Sequence, residues 1–187
     1  MTGQGPKVTY KYLREPVGLP ISMLLGLISD THDCLPAIDL ALELFEDEGV
    51  EAVLHAGDWV APFSAKRFKR YSGSLYGAYG NNDGERIGLS RAFREMEAVV
   101  KGEFTAAEIA GYKFAVMHGT NHETVEAVAR SRIYPFVIYG HSHKASIERF
   151  GDVLVVNPGE ACGYLTGRRT VGLLDVERKT ATIRDLR

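Results

Sequence analysis

The chain has 187 residues, 45% of them hydrophobic and 25% charged, which are the proportions of an ordinary globular protein of about one domain. Its 22 basic and 24 acidic residues give a formal net charge of −2, which excludes a strongly basic nucleic-acid binder and a polybasic membrane binder. Two cysteines are too few for a disulfide scaffold, and no apolar run is long enough for a membrane span, so we expect a cytoplasmic protein.

Residues 1–22 precede the first predicted strand. We expect them to be a tail, or to lie upstream of a start at Met23. The apolar stretch at 17–28 follows a basic segment and resembles a signal peptide, but Pro20 interrupts it and no cleavage pattern follows. We therefore place a single domain at 23–187.

The first half of the chain alternates predicted strands with predicted helices. Short apolar runs bounded by polar residues indicate buried strands, whereas Leu35, Ile38 and Leu42 recur at the spacing of a helix that Gly49 ends. The predicted order is strand 23–29, this helix, strand 52–54, helix 63–70, strand 75–79 and a helix marked by residues 89, 93 and 96.

The second half of the chain is mostly β. A predicted hairpin, 104–109 with 112–117, turns at Ala110-Gly111, and a helix at 123–131 leads to a strand at 136–139. Strand–helix units followed by a meander predict an α/β sandwich of two sheets with helices outside. The strands of the predicted meander are 145–150, 153–156, 170–176 and 180–186.

Polar residues follow five of the predicted strands. In an open, mostly parallel sheet, ligands bind outside the carboxyl ends of the strands, so we expect these residues to converge. Each segment alone is typical of a turn, but five in order favour a metal site. The segments are Asp30-Thr31-His32, Gly57-Asp58, Gly80-Asn81-Asn82-Asp83, His118-Gly119 and Gly140-His141-Ser142-His143.

The types of the candidate ligands indicate which metal ions the site could bind. Carboxylate, imidazole and amide ligands suit Mn²⁺, Fe²⁺, Ni²⁺, Co²⁺ or Zn²⁺. No cysteine stands at these positions, which argues against a structural zinc site. Seven candidate ligands are too many for one tetrahedral ion and sufficient for two metals with one bridging carboxylate.

The five motifs, in this order, resemble those of the calcineurin-like metallophosphoesterases. The short length and the segment 157–159, Asn-Pro-Gly, are similar to the small archaeal and bacterial phosphodiesterases of the YfcE/MJ0936 type, from Met23 to the end. The resemblance implies a four-layer α/β/β/α sandwich of two mixed β-sheets flanked by helices. It also implies two divalent metals, with Mn²⁺ or Ni²⁺ favoured over Fe²⁺, Co²⁺ or Zn²⁺.

The resemblance also implies a ligand set and a mechanism. A water between the two metals would attack the phosphorus of a small phosphodiester in line. We expect neither a membrane nor a nucleic acid as partner. We leave open whether the chain forms a homo-oligomer, as a dimer or a tetramer. By position, the implied first metal is held by Asp30, His32, Asp58 and His143, and the second by the bridging Asp58 with Asn81, His118 and His141.

The residue after Asn81 departs from the family pattern. Many members carry a histidine there, which can protonate the leaving group, whereas Asn82 cannot act as a general acid near neutral pH. His122 is an alternative proton donor, against the simpler interpretation of a solvated histidine at a helix start. Asp58, Asn82 and His122 are therefore the catalytic candidates. Equal effects of His122→Ala on good and poor leaving groups would exclude a proton-donor role.

Three other functions are possible for a protein of this family resemblance. The retromer scaffold subunit is a protein-binding module of similar fold, and a phosphomonoesterase or a nuclease of the same superfamily are further alternatives. The complete ligand set favours an enzyme, and the length and charge disfavour a nuclease.

We expect His55 to pack or to orient a ligand, and Cys34 and Cys162 to be small buried hydrophobes. Trp59 either forms part of the pocket wall or packs in the core, and the sequence does not decide between the two. We expect Arg86 to be a charged residue on the surface.

Overall fold

The structure is a computed structural model that describes residues 22–187. The predicted tail, apart from Ser22, lies outside the described residues. Ser22 Oγ and the Met23 backbone amide donate to Glu177 Oε2 at 3.3 and 2.7 Å, which ties the start of the described chain to the sheet beside it. Within these residues, no helix combines the length and the hydropathy needed to cross a bilayer.

Eleven strands in the described chain form two mixed sheets. In chain order they are β1 Leu24–Ile28, β2 Ala52–His55, β3 Ser74–Gly77, β4 Val99–Val100, β5 Phe104–Ile109, β6 Tyr112–Met117, β7 Phe136–Ile138, β8 Ser146–Phe150, β9 Val153–Asn157, β10 Thr170–Asp175 and β11 Thr180–Asp185. The first sheet has the order β11-β10-β1-β2-β3-β4, and the second has the order β5-β6-β7-β9-β8.

Four α-helices and one 3-10 helix lie on the outside of the described chain. They are α1 Leu35–Asp47, α2 Pro62–Ala65, the 3-10 helix Lys66–Arg70, α3 Arg86–Glu95 and α4 His122–Ser131. The single helix predicted at 63–70 is therefore wrong: one α-helical turn is followed by 3-10 geometry. Ser64 Oγ donates to the carbonyl of Ala61 at 2.8 Å, a local bond that competes with regular helix formation.

Side chains that alternate along the strands build three apolar cores. Leu25 and Leu27 of β1 face Phe114 and Phe136 between the two sheets, while Ile28 packs against α1 on the other face. A third core joins the second sheet to α4. The layers run helices, sheet, sheet, helix, which confirms the predicted four-layer sandwich.

The predicted meander at the end of the chain is wrong. β8 and β9 complete the second sheet, where β9 runs parallel to β7, but β10 and β11 cross to the first sheet, where β10 pairs antiparallel with β1. Five of the six residues of β10 are buried, on both faces of the strand. Such a strand needs a packed layer on each side, and the position beside β1, between the helices and the second sheet, supplies both.

The parallel strands position the site. β1, β2 and β3 run parallel in the first sheet, as β6 and β7 do in the second, so the loops after all five strands meet at one edge of the sandwich.

Candidate metal centre

Two imidazoles and a second carboxylate gather around Oδ1 of Asp30, after β1. Asp30 is fully buried, and Nε2 of His143 lies 3.4 Å from this oxygen. Nε2 of His32 lies 3.8 Å from it and 3.4 Å from Oδ2 of Asp58, which follows β2. The rings of His32 and His143 stack with centroids 5.2 Å apart. The structure thus brings together the four residues predicted to share one metal.

A second group surrounds Oδ1 of Asn81, after β3. His118 Nε2 and His141 Nδ1 each lie 3.0 Å from this amide oxygen. His118 Nε2 is also 3.3 Å from Asp58 Oδ2. The other ring nitrogen of His118, Nδ1, donates to the carbonyl of Ala56 at 2.8 Å, which leaves the Nε2 lone pair facing the cluster. These are the residues predicted to complete the second metal.

Asp58 stands between the two groups. A single atom, its Oδ2, is 3.4 Å from His32 on one side and 3.3 Å from His118 on the other. The carboxylate is 1% exposed and is therefore accessible to little besides these groups. This is the placement that a bridging carboxylate requires.

The cluster fits divalent cations on two further observations. Ligand atoms about 2.1 Å from one cation lie roughly 3.0–3.4 Å from each other, which is close to the spacing found here. Among the described residues, three buried side-chain atoms have no hydrogen-bond partner, and two of them are Asp30 Oδ1 and His32 Nε2. Such atoms are costly in a protein interior, and a cation would satisfy both.

The backbone of the cluster is held in an uncommon conformation. Five of the seven predicted ligands have a positive φ, which is uncommon for residues other than glycine and tends to occur at functional sites. Backbone hydrogen bonds between the loops maintain it, for example from the Asp30 amide to Gly57 at 3.0 Å and from the His32 amide to Asp58 at 3.1 Å. The five are Asp30 (51°), His32 (39°), Asp58 (60°), His141 (66°) and His143 (61°).

Two glycines allow the loops to approach each other. A Cβ atom on Gly80 would lie 2.1 Å from Asp58 Oδ1, and one on Gly140 would lie 1.9 Å from Ser29 Oγ and 2.7 Å from Asp30 Oδ2. All three distances are shorter than van der Waals contact. The carboxylates can therefore lie against the neighbouring loops only because these positions lack a side chain.

Asp83 holds two of the loops together. Its Oδ2 accepts from the Gly80 and Asp58 amides at 2.6 and 3.1 Å, and its Oδ1 accepts from the Val60 amide at 2.7 Å. Asp83 is 1% exposed, and burial raises the pKa of its carboxyl group. The motif that predicted Asn81 thus also contains the residue that fixes Asp58.

His55 is hydrogen-bonded to the loops that carry the predicted ligands and does not itself join the cluster. Its Nδ1 accepts from the Gly57 amide at 3.1 Å, so the ring proton is on Nε2, 3.2 Å from Thr31 Oγ1. Thr31 in turn donates to the carbonyl of Asp58 at 3.2 Å. Burial holds the pKa of His55 well below its usual value, which keeps the ring neutral for this chain of bonds.

Glu160 was not anticipated from the sequence. It is fully buried and follows the segment 157–159, and its Oε2 accepts from His143 Nδ1 at 2.7 Å, so Nε2 of His143 faces Asp30. Oε1 and Oε2 also accept from the backbone of Leu165, and Oε1 accepts from the Thr166 hydroxyl at 2.6 Å. An acidic residue directly after an Asn-Pro-Gly turn was the only signal in the sequence.

Cys162 lies closer to the cluster than a core residue would. Its Sγ is within 4.8 Å of ligand atoms of His32 and His143 and donates to Glu160 Oε2 at 3.3 Å. Burial raises the pKa of this thiol to about 12, so it stays protonated. Cys34 packs beside it in a small buried cluster, as expected for a small hydrophobe.

Neighbouring charges set the protonation of the cluster. Asp30 raises the pKa of His32, and the pKa of His118 is raised because Asp58 and Asp30 outweigh the effect of burial. Burial opposes the charged form of Asp58, but the nearby His118 ring and two hydrogen bonds from Asn82 hold its pKa well below its usual range. Burial lowers the pKa of His141. The site therefore favours positive charge beside its carboxylates.

The two remaining catalytic candidates lie in different settings. Asn82 donates twice to Asp58, from its backbone amide to Oδ1 at 2.9 Å and from Nδ2 to Oδ2 at 2.8 Å. His122 is the first residue of α4, its side chain is 60% exposed, and its described contacts are with Glu126 and Tyr139. Asn82 is thus part of the cluster, whereas the described contacts of His122 are with residues outside it.

Two other residues are placed by the structure. Trp59 is fully buried, donates to the carbonyl of Ala78 at 2.9 Å and stacks on His55, so it belongs to the core. Arg86 is exposed, as expected, and pairs with Glu103 at 2.8 Å.

Comparisons with known proteins found similar sequences and similar structures. The sequence family described as the calcineurin-like phosphoesterase superfamily domain matches residues 23–179. Phosphodiesterase MJ0936 of Methanocaldococcus jannaschii is 46% identical over 158 residues, which cover 84% of this chain and 95% of that protein. The solved structure of an archaeal phosphodiesterase matches with a TM-score of 0.83 and 44% identity, covering 88% of this chain and 100% of that one. The E. coli phosphoesterase YfcE matches with a TM-score of 0.62 at 18% identity, over 88% and 100% of the two chains, which supports the fold alone.

Proposed function

Because the chain belongs to the calcineurin-like phosphoesterase superfamily, we propose that it is a phosphodiesterase that works with two divalent metal ions at the cluster described above. Mn²⁺ or Ni²⁺ is favoured, and a small phosphodiester is the substrate. The name of the relative that is 46% identical supports the reaction, and the mixed carboxylate, imidazole and amide ligands support the metals.

The observation that carries the proposal is the position of Asp58. Its Oδ2 lies within 3.4 Å of a histidine from each of the two groups, so one carboxylate can serve both ions. Two ions at this site would supply positive charge for the phosphoryl oxygens and lower the pKa of a water between them. Because the ions would supply this charge, the phosphate does not need a cluster of lysines or arginines. This fits a chain whose formal net charge is only −2.

The side chains have separate roles in the proposal. Asp30, His32 and His143 hold one ion, and Asn81, His118 and His141 hold the other. Asn82 fixes the Asp58 carboxylate through two hydrogen bonds, so it acts as a positioning residue as well as filling the place of the family histidine.

Loss of the family histidine leaves His122 as the proposed proton donor to the leaving group. Its side chain is 60% exposed at the first residue of α4, four residues after the predicted ligand His118. An enzyme that lacks the family histidine should act best on esters with good leaving groups.

A screen of metals against substrates tests the proposal. The purified protein is stripped of metal and assayed with each divalent ion on a diester, a monoester and a phosphonate ester. We expect hydrolysis of bis(4-nitrophenyl) phosphate with Mn²⁺ or Ni²⁺, less on the monoester, and none without metal. Activity on no substrate with any ion would contradict the proposal and favour a protein-binding role for the fold.

A further inference from the structure

A cavity of about 580 Å³ opens beside the second group of ligands. This volume is within the range of pockets that bind small organic molecules. Asn81 and His118, two of the proposed metal ligands, line it directly. Anything held at the metals by its phosphate therefore has this cavity next to it.

The cavity carries little charge. Glu103 is the one acidic side chain among the described lining residues, and Arg86 pairs with it at 2.8 Å. No lysine or arginine of the described chain lines the cavity. The Arg86 guanidinium beside Tyr79 is already paired with Glu103, so a second phosphate or a carboxylate would find no unpaired lysine or arginine among the described lining residues, and the cavity suits an uncharged group.

Aromatic and sulfur-containing side chains also line the cavity. Phe104 is 38% exposed. Its ring makes an edge-to-face contact with the ring of Tyr134, and the two ring centroids are 5.7 Å apart. Met117 and Tyr79 lie beside it, and the ring of Tyr79 already has the Arg86 guanidinium 5.1 Å above it. Phe104 is therefore the ring that is available to pack against a ligand.

One wall is polar without being charged. Thr120, Asn121 and Thr124 lie there, at the start of α4. Oδ1 of Asn121 is used as the helix cap, since it accepts from the Glu123 amide at 2.9 Å, which leaves the Nδ2 donors of Asn121 for other partners. A cavity lined by hydroxyl and amide groups as well as an aromatic ring suits a planar group that carries hydrogen-bonding substituents.

We propose that this cavity binds an uncharged aromatic group of the phosphodiester, such as the base of a nucleoside ester or a substituted phenyl ring. The inference rests on the proposed function, because the metals would hold the phosphate beside it. Phe104 packs against the ring, and the side chains of the polar wall bond its substituents. The substrate class is thus a diester with an aromatic ester group, in preference to a diester of two small alkyl alcohols.

Two non-hydrolysable probes separate the cavity from the metals. Phenylphosphonate and methylphosphonate carry the same anionic group, and only the former has a ring. Calorimetry on the Mn²⁺-loaded protein gives the dissociation constant of each. Burial of the ring predicts that phenylphosphonate binds about tenfold more tightly than methylphosphonate.

Three variants locate the ring. Phe104→Ala should reduce the phenyl preference by roughly threefold or more, and Thr124→Trp should remove it by filling the cavity. Methylphosphonate should bind all variants equally, which shows that the metals and the fold are intact. Phe63→Ala is the matched control, because Phe63 is also exposed, by 58%, and is not part of the cavity lining.

The outcomes are distinguishable. A preference that Phe104→Ala and Thr124→Trp reduce, and that Phe63→Ala leaves unchanged, supports the inference. Equal affinity of the wild-type protein for the two phosphonates, or an unchanged preference in both cavity variants, overturns it and leaves the proposed function standing. Failure of both phosphonates to bind would contradict the proposed function, and the inference with it.

Discussion

Glu160 links the candidate metal centre to the loop at 163–167 through one buried carboxylate. It accepts from His143 and from the backbone and hydroxyl groups of that loop. A carboxylate that accepts from one nitrogen of a metal-binding histidine fixes the direction of the other nitrogen. Although Glu160 is not a proposed ligand, it determines where one ligand points.

Replacing this carboxylate should weaken metal binding. Glu160→Gln is expected to lower the affinity for Mn²⁺ by roughly 10- to 100-fold, because His143 loses the acceptor that orients it. Titration against a chelator of known affinity measures the change. Glu148→Gln, at an exposed position in β8, is the control and should bind Mn²⁺ like the wild-type protein. Equal affinities of the two variants would contradict the positioning role.

The same residue predicts an acid-dependent loss of stability in the metal-free protein. Burial opposes the charged form of Glu160, but hydrogen bonds from Thr166, His143 and Leu165 lower its pKa from 4.5 to about 2. Because the folded-state pKa is the lower one, this stabilisation is complete above about pH 4.5 and is lost as the pH falls toward 2. The contribution is on the order of 3 kcal/mol.

Urea unfolding at a series of pH values tests this. The free energy of unfolding of the wild-type protein should fall more steeply between pH 4.5 and 2 than that of Glu160→Gln. Parallel curves for the two proteins would show that the carboxylate titrates normally in the folded state.

At the scale of single residues, the sequence was informative wherever a polar side chain follows a strand. All seven predicted ligands lie within the two groups described. Glu160 and His55 were different, because their roles depend on which loop lies behind them, and that loop comes from a distant part of the chain. A buried acidic residue after a turn has no spacing that marks it as functional.

At the scale of elements, the loop after β3 is packed closely against the cluster. Asn81, Asn82 and Asp83 all contact the cluster from this loop, and Gly80 at its start touches Asp58. The close approach of this loop to the loop after β2 sets the position of the bridging carboxylate.

A methyl group at Gly80 should displace that carboxylate. In Gly80→Ala the Cβ atom would lie 2.1 Å from Asp58 Oδ1 and 2.5 Å from the Asp58 amide, so the loops must separate. We expect loss of diester hydrolysis and of at least one bound Mn²⁺, measured by metal analysis after gel filtration. Gly84→Ala, in the same loop, meets nothing within 4 Å and should retain both. Full metal content in Gly80→Ala would contradict the argument.

The elements themselves were predicted unevenly. Strands and helices with clear periodicity, such as β5, β6 and α1, have nearly the predicted bounds. β4 has two residues, too few to form a pattern, and the helix at 63–70 is divided because local hydrogen bonds compete with it. Propensity and periodicity describe the chain one segment at a time, so they miss features that tertiary contacts decide.

At the scale of the whole molecule, the fold brings two sheets to one edge. The sequence predicted two sheets with helices outside, and its resemblance to the metallophosphoesterases implied four layers. The crossing of β10 and β11 to the first sheet was missed, because it depends on which strand can be covered on both faces. That crossing places the segment with Glu160 and Cys162 against β1, where both reach the cluster.

The same edge of the sandwich also carries the cavity beside the second group of ligands. Among the described residues, we therefore expect the side chains around the cluster and this cavity to select among substrates.

The central claim is that two metal ions share Asp58 and together hydrolyse a phosphodiester. The most direct test is to compare the wild-type protein with Asp58→Asn, after metal stripping and addition of Mn²⁺, by counting bound ions and by following bis(4-nitrophenyl) phosphate. We expect two Mn²⁺ per wild-type chain, and in Asp58→Asn fewer bound ions with a rate lower by about 10³-fold or more. Wild-type metal content and full activity in Asp58→Asn would contradict it.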